Sequence, residues 1–360
     1  MQIIRLFTLV LLSIGFFSFN IFGQGVGGSS NGRIEGSFKF LPIPYINYNR
    51  SIGFQLGALP MAQFNLSQKD TLSPSSMAGL FGMYSTNKTY FLMGFAKLYL
   101  DEDNWRLTTA GGTGSINFQF YLEVPVDMWV PYNTSMDMFF IEGARRIYNK
   151  IYLGLSYIYL KFDTSTDITD GVFSNTLNGL GLKATMDQRT NVYYPRNGFL
   201  SNVQYFTYPE FMGNEYVSNK IEISHNHFFP NRKGQDVIAA RAYIGLGLGD
   251  LSFNQQFIVG RGDDLRGYSQ GEYRGNYMTA VQGEYRWNLN ESKFGFVGFF
   301  GLATVFEAIN EDHNGQILPG IGAGIRFIVS EETHMNVGMD IAAGKGDWGL
   351  YFRIGESFNR

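Results

Sequence analysis

The chain has 360 residues, no cysteine and a formal net charge of −3. It contains 44 glycine, 33 phenylalanine and 22 tyrosine residues, and only 16% of its residues are charged. Such a composition is unusual for a soluble enzyme of this size, and the mild charge balance argues against nucleic acid as a partner. The lack of cysteine excludes disulfides and a lipid-modified N-terminal cysteine.

The first 24 residues have the order of a secretory signal peptide. A basic start from Met1 to Arg5 precedes an almost wholly apolar stretch from Leu6 to Phe22, and glycines and small polar residues follow. A single membrane anchor is the alternative, but the stretch is at the short end of a spanning length. We therefore expect residues 1–24 to be a signal peptide and residues 25–40 to be a short periplasmic leader.

From residue 41 onward, short stretches alternate apolar with polar or small residues, and turn-forming clusters separate them. A period of two indicates strands with one apolar face. Sixteen strands are predicted, with approximate spans 41–49, 52–64, 76–86, 89–100, 105–119, 135–146, 151–162, 176–187, 198–208, 215–228, 236–248, 276–288, 293–306, 317–329, 334–343 and 348–358. The even number and the lengths fit an all-β, 16-stranded antiparallel transmembrane barrel over residues 41–360. A soluble β-sandwich is the alternative.

The predicted connections form two alternating sets that differ in length. The short set includes Asp101–Asn104, Tyr148–Lys150, Leu289–Ser292 and Ser330–Thr333. The mostly long set includes Tyr121–Asn133, Asp163–Asn175, Gly249–Gly275 and Glu307–Gln316. Outer-membrane barrels have short periplasmic turns and long outer loops. Both chain ends are therefore predicted to lie in the periplasm, with the barrel in the bacterial outer membrane and in contact with its lipids.

Alternation also predicts which side chains face lipid and which face the lumen. On the last strand the predicted lipid-facing residues are Trp348, Leu350, Phe352, Ile354 and Phe358, whereas Tyr351, Arg353 and Ser357 point inward. The same test places Glu284 and Arg286 in the lumen. Because a charge in hydrocarbon costs about 2–4 kcal/mol at the midplane, we expect a polar lumen with charges of both signs.

Three segments carry a family resemblance. They are Gly260-Arg261-Gly262-Asp263-Asp264-Leu265-Arg266-Gly267-Tyr268 in the sixth outer loop, the turn with Asp187, Arg189, Pro195 and Gly198, and the terminal Phe352-Arg353-Ile354-Gly355-Glu356-Ser357-Phe358. Together they resemble the BamA/TamA family of outer-membrane assembly factors, also called the bacterial surface antigen family. The resemblance covers essentially the whole mature chain, and the loop lies between the eleventh and twelfth predicted strands, as in the family.

The resemblance implies that the sixth outer loop folds into the barrel and that its arginine pairs with acids of the inner wall. Glu284 is the natural partner of Arg266, since alternation already places it in the lumen. The second acid of the family, in a Phe-x-Asp-x-Gly pattern, is replaced here by Gly301. Asp340, which faces inward on the fifteenth predicted strand, is the candidate substitute. A solvated loop arginine is the alternative.

The first predicted strand contains Pro42 and Pro44, which remove backbone donors from the same edge. If that edge faces the last strand, the closing seam is short and weak, and Gly355 adds a kink there. In the resembling family this seam opens toward the membrane and templates incoming strands. The alternative is that the prolines simply precede a shorter first strand.

The family places periplasmic POTRA modules ahead of the barrel, whereas only about fifteen residues separate the signal peptide from the first strand here. We therefore expect a POTRA-less member that works with periplasmic or outer-membrane partner proteins. The leading hypothesis is non-enzymatic assistance of outer-membrane protein or lipid assembly, without cofactor or metal. The alternative is a passive pore or a structural subunit of an outer-membrane complex. A lipid enzyme is a third class, but no convincing Ser/His/acid constellation is present.

Two further motifs are present. Gly28-Ser29-Ser30-Asn31-Gly32 matches Gly-x-Ser-x-Gly but lacks the strand–turn–helix context of a nucleophile elbow. His225 and His227 share a predicted lipid-side face near the periplasmic rim and have no third ligand, which favours an interfacial role over a metal site.

Overall fold

The structure, a computed structural model, describes residues 32–49, 52–122, 128–166, 169–252, 255–260, 264–268, 272–289, 292–308, 311–332 and 334–359. The predicted signal peptide and the Gly-x-Ser-x-Gly match, apart from Gly32, lie outside these residues. The first strand begins at Phe38, inside the predicted leader. Among the described residues, no helix has the length and apolar character needed to cross a membrane.

The chain forms one antiparallel sheet with short 3₁₀ turns at Glu210–Met212, Arg232–Gly234 and Glu311–His313. Its strands are β1 (Phe38–Asn49), β2 (Gly53–Phe64), β3 (Ser76–Ser85), β4 (Tyr90–Leu100), β5 (Trp105–Leu122), β6 (Met128–Tyr148), β7 (Ile151–Thr166), β8 (Thr169–Asp187), β9 (Gly198–Tyr208), β10 (Ser218–Asn231), β11 (Asp236–Gly249), β12 (Phe257–Ile258), β13 (Arg274–Asn288), β14 (Phe294–Ala308), β15 (Leu318–Ser330), β16 (Met335–Ala343) and β17 (Trp348–Ile354).

Each strand pairs with the next in sequence, except that β11 passes over β12 to pair with β13. The two-residue β12 lies within the sixth outer loop (residues 250–273) and pairs with the start of β13. The remaining sixteen strands form a nearly closed barrel with one seam, between β1 and β17. The predicted sixteen-stranded antiparallel barrel is therefore confirmed.

The strands β5 to β8 are longer than predicted. The predicted loops Tyr121–Asn133 and Asp163–Asn175 are wrong, because the ladders continue to Leu122↔Met128 and Thr166↔Thr169. Near this end Asp137 lies opposite Lys161, and Lys161 makes a 2.8 Å ion pair with Asp163 on the exposed side. Since charged outward groups do not suit hydrocarbon, this part of the sheet extends above the membrane. Two connections on the opposite side, residues 65–75 and 188–197, are also long, so the predicted length asymmetry is only partial.

The inner face has a mainly apolar half and a mainly polar half. The prediction of a polar lumen is wrong for the apolar half. Side chains from β1 to β9 form one buried apolar cluster, with the main members Leu41, Leu59, Met61, Met77, Phe81, Met93, Met136, Leu160, Phe162 and Phe206. In β3 the exposed Leu80 and Tyr84 alternate with the buried Phe81 and Met83. Because both faces of β3 are apolar, alternation between apolar and polar residues does not indicate which of its side chains point inward. The largest group of buried charges lies on β11 and β13 to β17, and a smaller ion cluster lies at the periplasmic end of β5 and β8.

The predicted lipid-facing set of the last strand is wrong at its C-terminal end. Trp348 is exposed, but Phe352 and Ile354 pack against the buried apolar cluster. Phe358 is fully buried against Tyr194, Phe228, Val237 and Ala239. For Phe358 the physical reason is Gly355, whose φ of +76° ends the strand. A positive φ is readily adopted by glycine, and here it turns residues 355–359 under the barrel.

Candidate functional site

Arg266 of the sixth outer loop is held by two carboxylates of the inner wall. Its Nη2 lies 2.7 Å from Glu284 Oε2 on β13, and its Nη1 lies 2.5 Å from Asp340 Oδ2 on β16. The guanidinium also stacks on the Phe299 ring, 3.3 Å from its centroid. Arg266 is 1% exposed. Of the alternatives that the sequence left open, the structure has the paired arginine rather than the solvated one.

The pair belongs to a larger buried ion network. Glu284 also accepts from Arg286 at 2.9 Å, and Asp340 accepts from Arg326 at 2.5 Å and from Arg353 at 3.0 Å. A third carboxylate, Glu356, accepts from Arg326 at 2.9 Å. These four arginines and three carboxylates carry a formal charge of +1. Breaking a buried pair is costly, because the remaining partner keeps its charge without compensation.

The departure from the family at Gly301 has a packing explanation. A Cβ at Gly301 would lie 2.6 Å from Gln282 Cγ and 2.8 Å from Leu265 Cδ1. The inner wall at this position is therefore filled by the loop motif itself, and no acid fits without displacing Leu265. The second carboxylate comes instead from Asp340, two strands further along the wall.

The rest of the loop motif is fixed by hydrogen bonds to β15 and β17 and the turn before β17. The Gly267 N–H donates to Tyr351 Oη at 2.8 Å, and Gly267 has a φ of +111°. Tyr268 Oη donates to the Pro319 carbonyl at 2.6 Å. Gly260 also has a positive φ, and Gly262 lies outside the described residues. The loop is thus fastened to inner side chains on several strands, and its role in function stays a prediction.

We predict that Glu284→Gln loosens the loop, because Arg266 then loses one of its two anions. Tryptic cleavage at Arg261 or Arg266, added from outside to cells that display the protein, is the measurement. Glu272→Gln, an exposed acid of the same loop, is the matched control and should leave protection unchanged. Unchanged protection in Glu284→Gln would count against this pairing.

The periplasmic turn motif contains a second ion cluster. Arg189 donates to both oxygens of Asp187, at 2.7 and 2.8 Å, and Arg106 reaches the same carboxylate at 2.9 Å. Pro195 is buried, and Gly198 has a φ of +96°. Arg189 Nη1 donates to the Asn359 carbonyl at 2.9 Å. The turn therefore holds the folded-under C-terminal segment.

The C-terminal segment, residues 355–359, joins the three family-like segments. Glu356 accepts from Arg326 and, at 2.8 Å, from Asn336 Nδ2. The Ser357 carbonyl accepts from Arg286 at 2.6 Å, and Arg286 in turn contacts Glu284. The loop arginine, the turn motif and the terminus are thus connected through buried charges. Sequence reasoning missed Arg326 and Glu356, although inward alternation had already indicated Arg286 and Arg353.

The seam between β1 and β17 lacks a hydrogen-bond ladder among the described residues, although the two strands touch. Two aromatic contacts cross it. Tyr45 and Phe352 meet edge to face with ring centroids 5.4 Å apart, and Tyr48 stacks on Trp348 at 6.5 Å. β1 has 12 residues and β17 has 7, so part of the β1 edge extends beyond the last strand.

The prolines of β1 turn their donor-less nitrogens toward this seam. Pro42 lies directly opposite Pro60 of β2. A hydrogen-bonded antiparallel pair exchanges two N–H donors, and proline has none, so this pair is of the non-hydrogen-bonded kind. The nitrogens of Pro42 and Pro44 therefore face away from β2. Of the two explanations left open for these prolines, the register supports the weak edge.

His225 and His227 lie on the outer face, as predicted, within a row of stacked rings that includes Phe199 and Phe229. In the described part of the chain, no group of three or more potential ligands is placed to hold a metal ion. The pair remains a candidate interfacial feature.

The nearly closed antiparallel sheet, the apolar outward side chains and the buried inner charges define an outer-membrane β-barrel. Residues 60–358 match the model of the Omp85 superfamily domain. The chain belongs to the Omp85 superfamily, and it is a bacterial outer-membrane protein. No curated protein matches it.

Three solved structures have a similar fold. BamA from Haemophilus ducreyi lacking POTRA domains 1–3 aligns with a TM-score of 0.58 and 12% identity, over 89% of this chain and 70% of that one. CdiB from Escherichia coli aligns with a TM-score of 0.66 and 12% identity, over 91% of this chain and 68% of that one. CdiB from Acinetobacter baumannii aligns with a TM-score of 0.59 and 13% identity, over 89% of this chain and 60% of that one. At this identity the likeness concerns the fold.

Proposed function

We propose that this barrel assists the assembly or translocation of outer-membrane proteins or lipids through the seam between β1 and β17. The observation that carries the proposal is the seam itself, which is closed by aromatic contacts instead of a ladder. Every other neighbouring pair of barrel strands is joined by backbone hydrogen bonds, so separation at this seam costs the least.

An edge with free backbone groups is a template for another strand. In lipid the free groups of β1 have no water to bind, which favours the addition of a client strand or a local disturbance of the bilayer. Phe38 and Phe40, 61% and 55% exposed, mark the part of β1 that reaches past the last strand. The action needs no covalent step, and the acting groups are backbone donors and acceptors together with the apolar edge.

The test is insertion of an unfolded small outer-membrane barrel into liposomes that contain the purified protein. We expect folding of this client to be faster than in empty liposomes and in liposomes with an equal amount of a closed porin. A rate equal to that of the porin liposomes would contradict the proposal.

A passive pore makes a different prediction. The sixth outer loop places buried Phe257, Val259, Leu265, Tyr268 and Tyr273 against the inner wall, which supports a blocked lumen. In planar bilayers we therefore expect brief, irregular openings and no large steady conductance. A large steady conductance would favour the pore over the assembly factor.

A further inference from the structure

A pocket of about 400 Å³ opens at the periplasmic mouth of the barrel. It lies among the turns that connect β8 with β9, β10 with β11, β13 with β14, and β15 with β16. Its walls include Tyr194, Arg196, Gln235, His334 and Asn336, with Arg326 also in the lining. The volume falls in the range of small-ligand pockets, and the wall combines polar with apolar residues.

The pocket has an excess of positive charge. Arg326 belongs to the buried network of four arginines and three carboxylates. Arg196, at the mouth, donates only a long 3.5 Å hydrogen bond to the Gly234 carbonyl and makes no ion pair with any described residue. Burial, and then the nearby Arg196 guanidinium, lowers the pKa of His334, so this ring stays uncharged at neutral pH. A bound carboxylate would therefore be stabilised here.

Several other charges of this face form ion pairs with each other. Lys293 pairs with Glu331 and Lys39 with Glu332. Arg232 pairs with Asp236. These pairs add no net charge to the mouth, whereas Arg196 lines the pocket without an acidic partner among the described residues.

The pocket also offers a hydrogen-bond acceptor with a fixed orientation. Asn336 is 3% exposed, and its Nδ2 donates to Glu356 Oε1 at 2.8 Å. This bond fixes the amide so that Oδ1 is the other terminal atom, and Oδ1 accepts nothing from the described residues. A matching ligand therefore has an anion for Arg196 and an N–H donor for Asn336.

We propose that this pocket binds an acidic residue of a periplasmic polypeptide, with the carboxylate against Arg196 and a peptide N–H directed to Asn336. The inference rests on the proposed function, since an assembly factor receives its clients from the periplasm. The polypeptide is a partner that brings clients to the barrel mouth.

Random peptides displayed on phage provide the probe. They are selected on the full chain in detergent micelles and counter-selected on Arg196→Gln, and binding of enriched peptides is then measured by fluorescence anisotropy. We expect enriched peptides to share an Asp or Glu. Loss of this charged contact should weaken binding about tenfold to hundredfold, both in Arg196→Gln and in peptides with Asn or Gln at the acidic position. Lys69→Gln removes an exposed charge from the same face and should leave binding unchanged.

The proposal is overturned if no peptides are enriched, if they lack an acid, if Arg196→Gln binds them as well as the unmodified protein, or if inorganic phosphate alone binds the pocket with equal affinity. Arg196→Gln should keep the ability to insert a client added directly to liposomes. Loss of peptide binding by Arg196→Gln with client insertion intact supports the binding pocket. If the unmodified protein binds the peptides but does not insert the client, the proposed function is contradicted and the binding site is supported.

Discussion

Asp340→Asn is expected to destabilise the barrel strongly. Asp340 is 1% exposed and accepts hydrogen bonds from Arg266, Arg326 and Arg353. Asparagine keeps the shape and removes the charge, so four buried arginines would face only two carboxylates. Removing one partner of a buried pair costs about 3–5 kcal/mol, and domain stabilities are only about 5–15 kcal/mol.

The measurement is the urea midpoint of the protein in detergent, with the fraction that migrates as a folded barrel in unheated gels. The matched control is Asp137→Asn, on the exposed face opposite Lys161. Exposed ion pairs contribute about 0–1 kcal/mol, so this control should unfold near the midpoint of the unmodified protein. If Asp340→Asn unfolds at the same midpoint as the control, the account of the buried network is wrong.

Much of the fold follows from alternation, because a strand in a lipid barrel must separate apolar from polar side chains. Val281 and Tyr285 are exposed while Glu284 and Arg286 are buried, as the pattern predicted. The rule fails where both faces are apolar, as around Phe81 and Met83. There the inner side chains avoid water by packing on one another, so the strand shows no alternation of apolar with polar residues from which its inner face could be predicted.

Two other features depend on contacts between distant parts of the chain. The sequence of residues 355–358 reads as a continuation of the last strand, but Gly355 turns it inward and Phe358 packs in a periplasmic cluster. The sequence pattern predicted loops at Tyr121–Asn133 and Asp163–Asn175, whereas ladder hydrogen bonds extend β5 to β8 through these stretches. In the ion network, the pairing of Arg266 with Glu284 was predictable from alternation. The pairing of Glu356 with Arg326 was not, since no local sequence pattern indicates either residue as a member of the network.

The second large effect concerns the seam. A covalent bond between β1 and β17 should abolish assistance of insertion, because the edge of β1 then cannot separate from the last strand to receive a client. Tyr48 and Trp348 suit this test, since their rings stack across the seam and both are exposed. The chain has no native cysteine, so Tyr48→Cys with Trp348→Cys introduces the only two thiols, which a short bis-maleimide or a disulfide can join.

The matched control is Ala184→Cys with Val203→Cys. These residues lie opposite each other on β8 and β9, within a regular ladder, and both face outward. A bond between them ties two strands that have no need to separate. It should leave insertion unchanged, which distinguishes a specific seam effect from general stiffening or damage by the linking chemistry.

The rate at which liposomes containing the Tyr48→Cys/Trp348→Cys protein insert an unfolded client, measured before and after formation of the seam bond, tests the central claim most directly. We predict insertion in the reduced protein, a fall of about tenfold or more in the linked protein, and recovery when a disulfide is reduced. A linked protein that inserts the client as fast as the reduced one would contradict a function exerted through this seam.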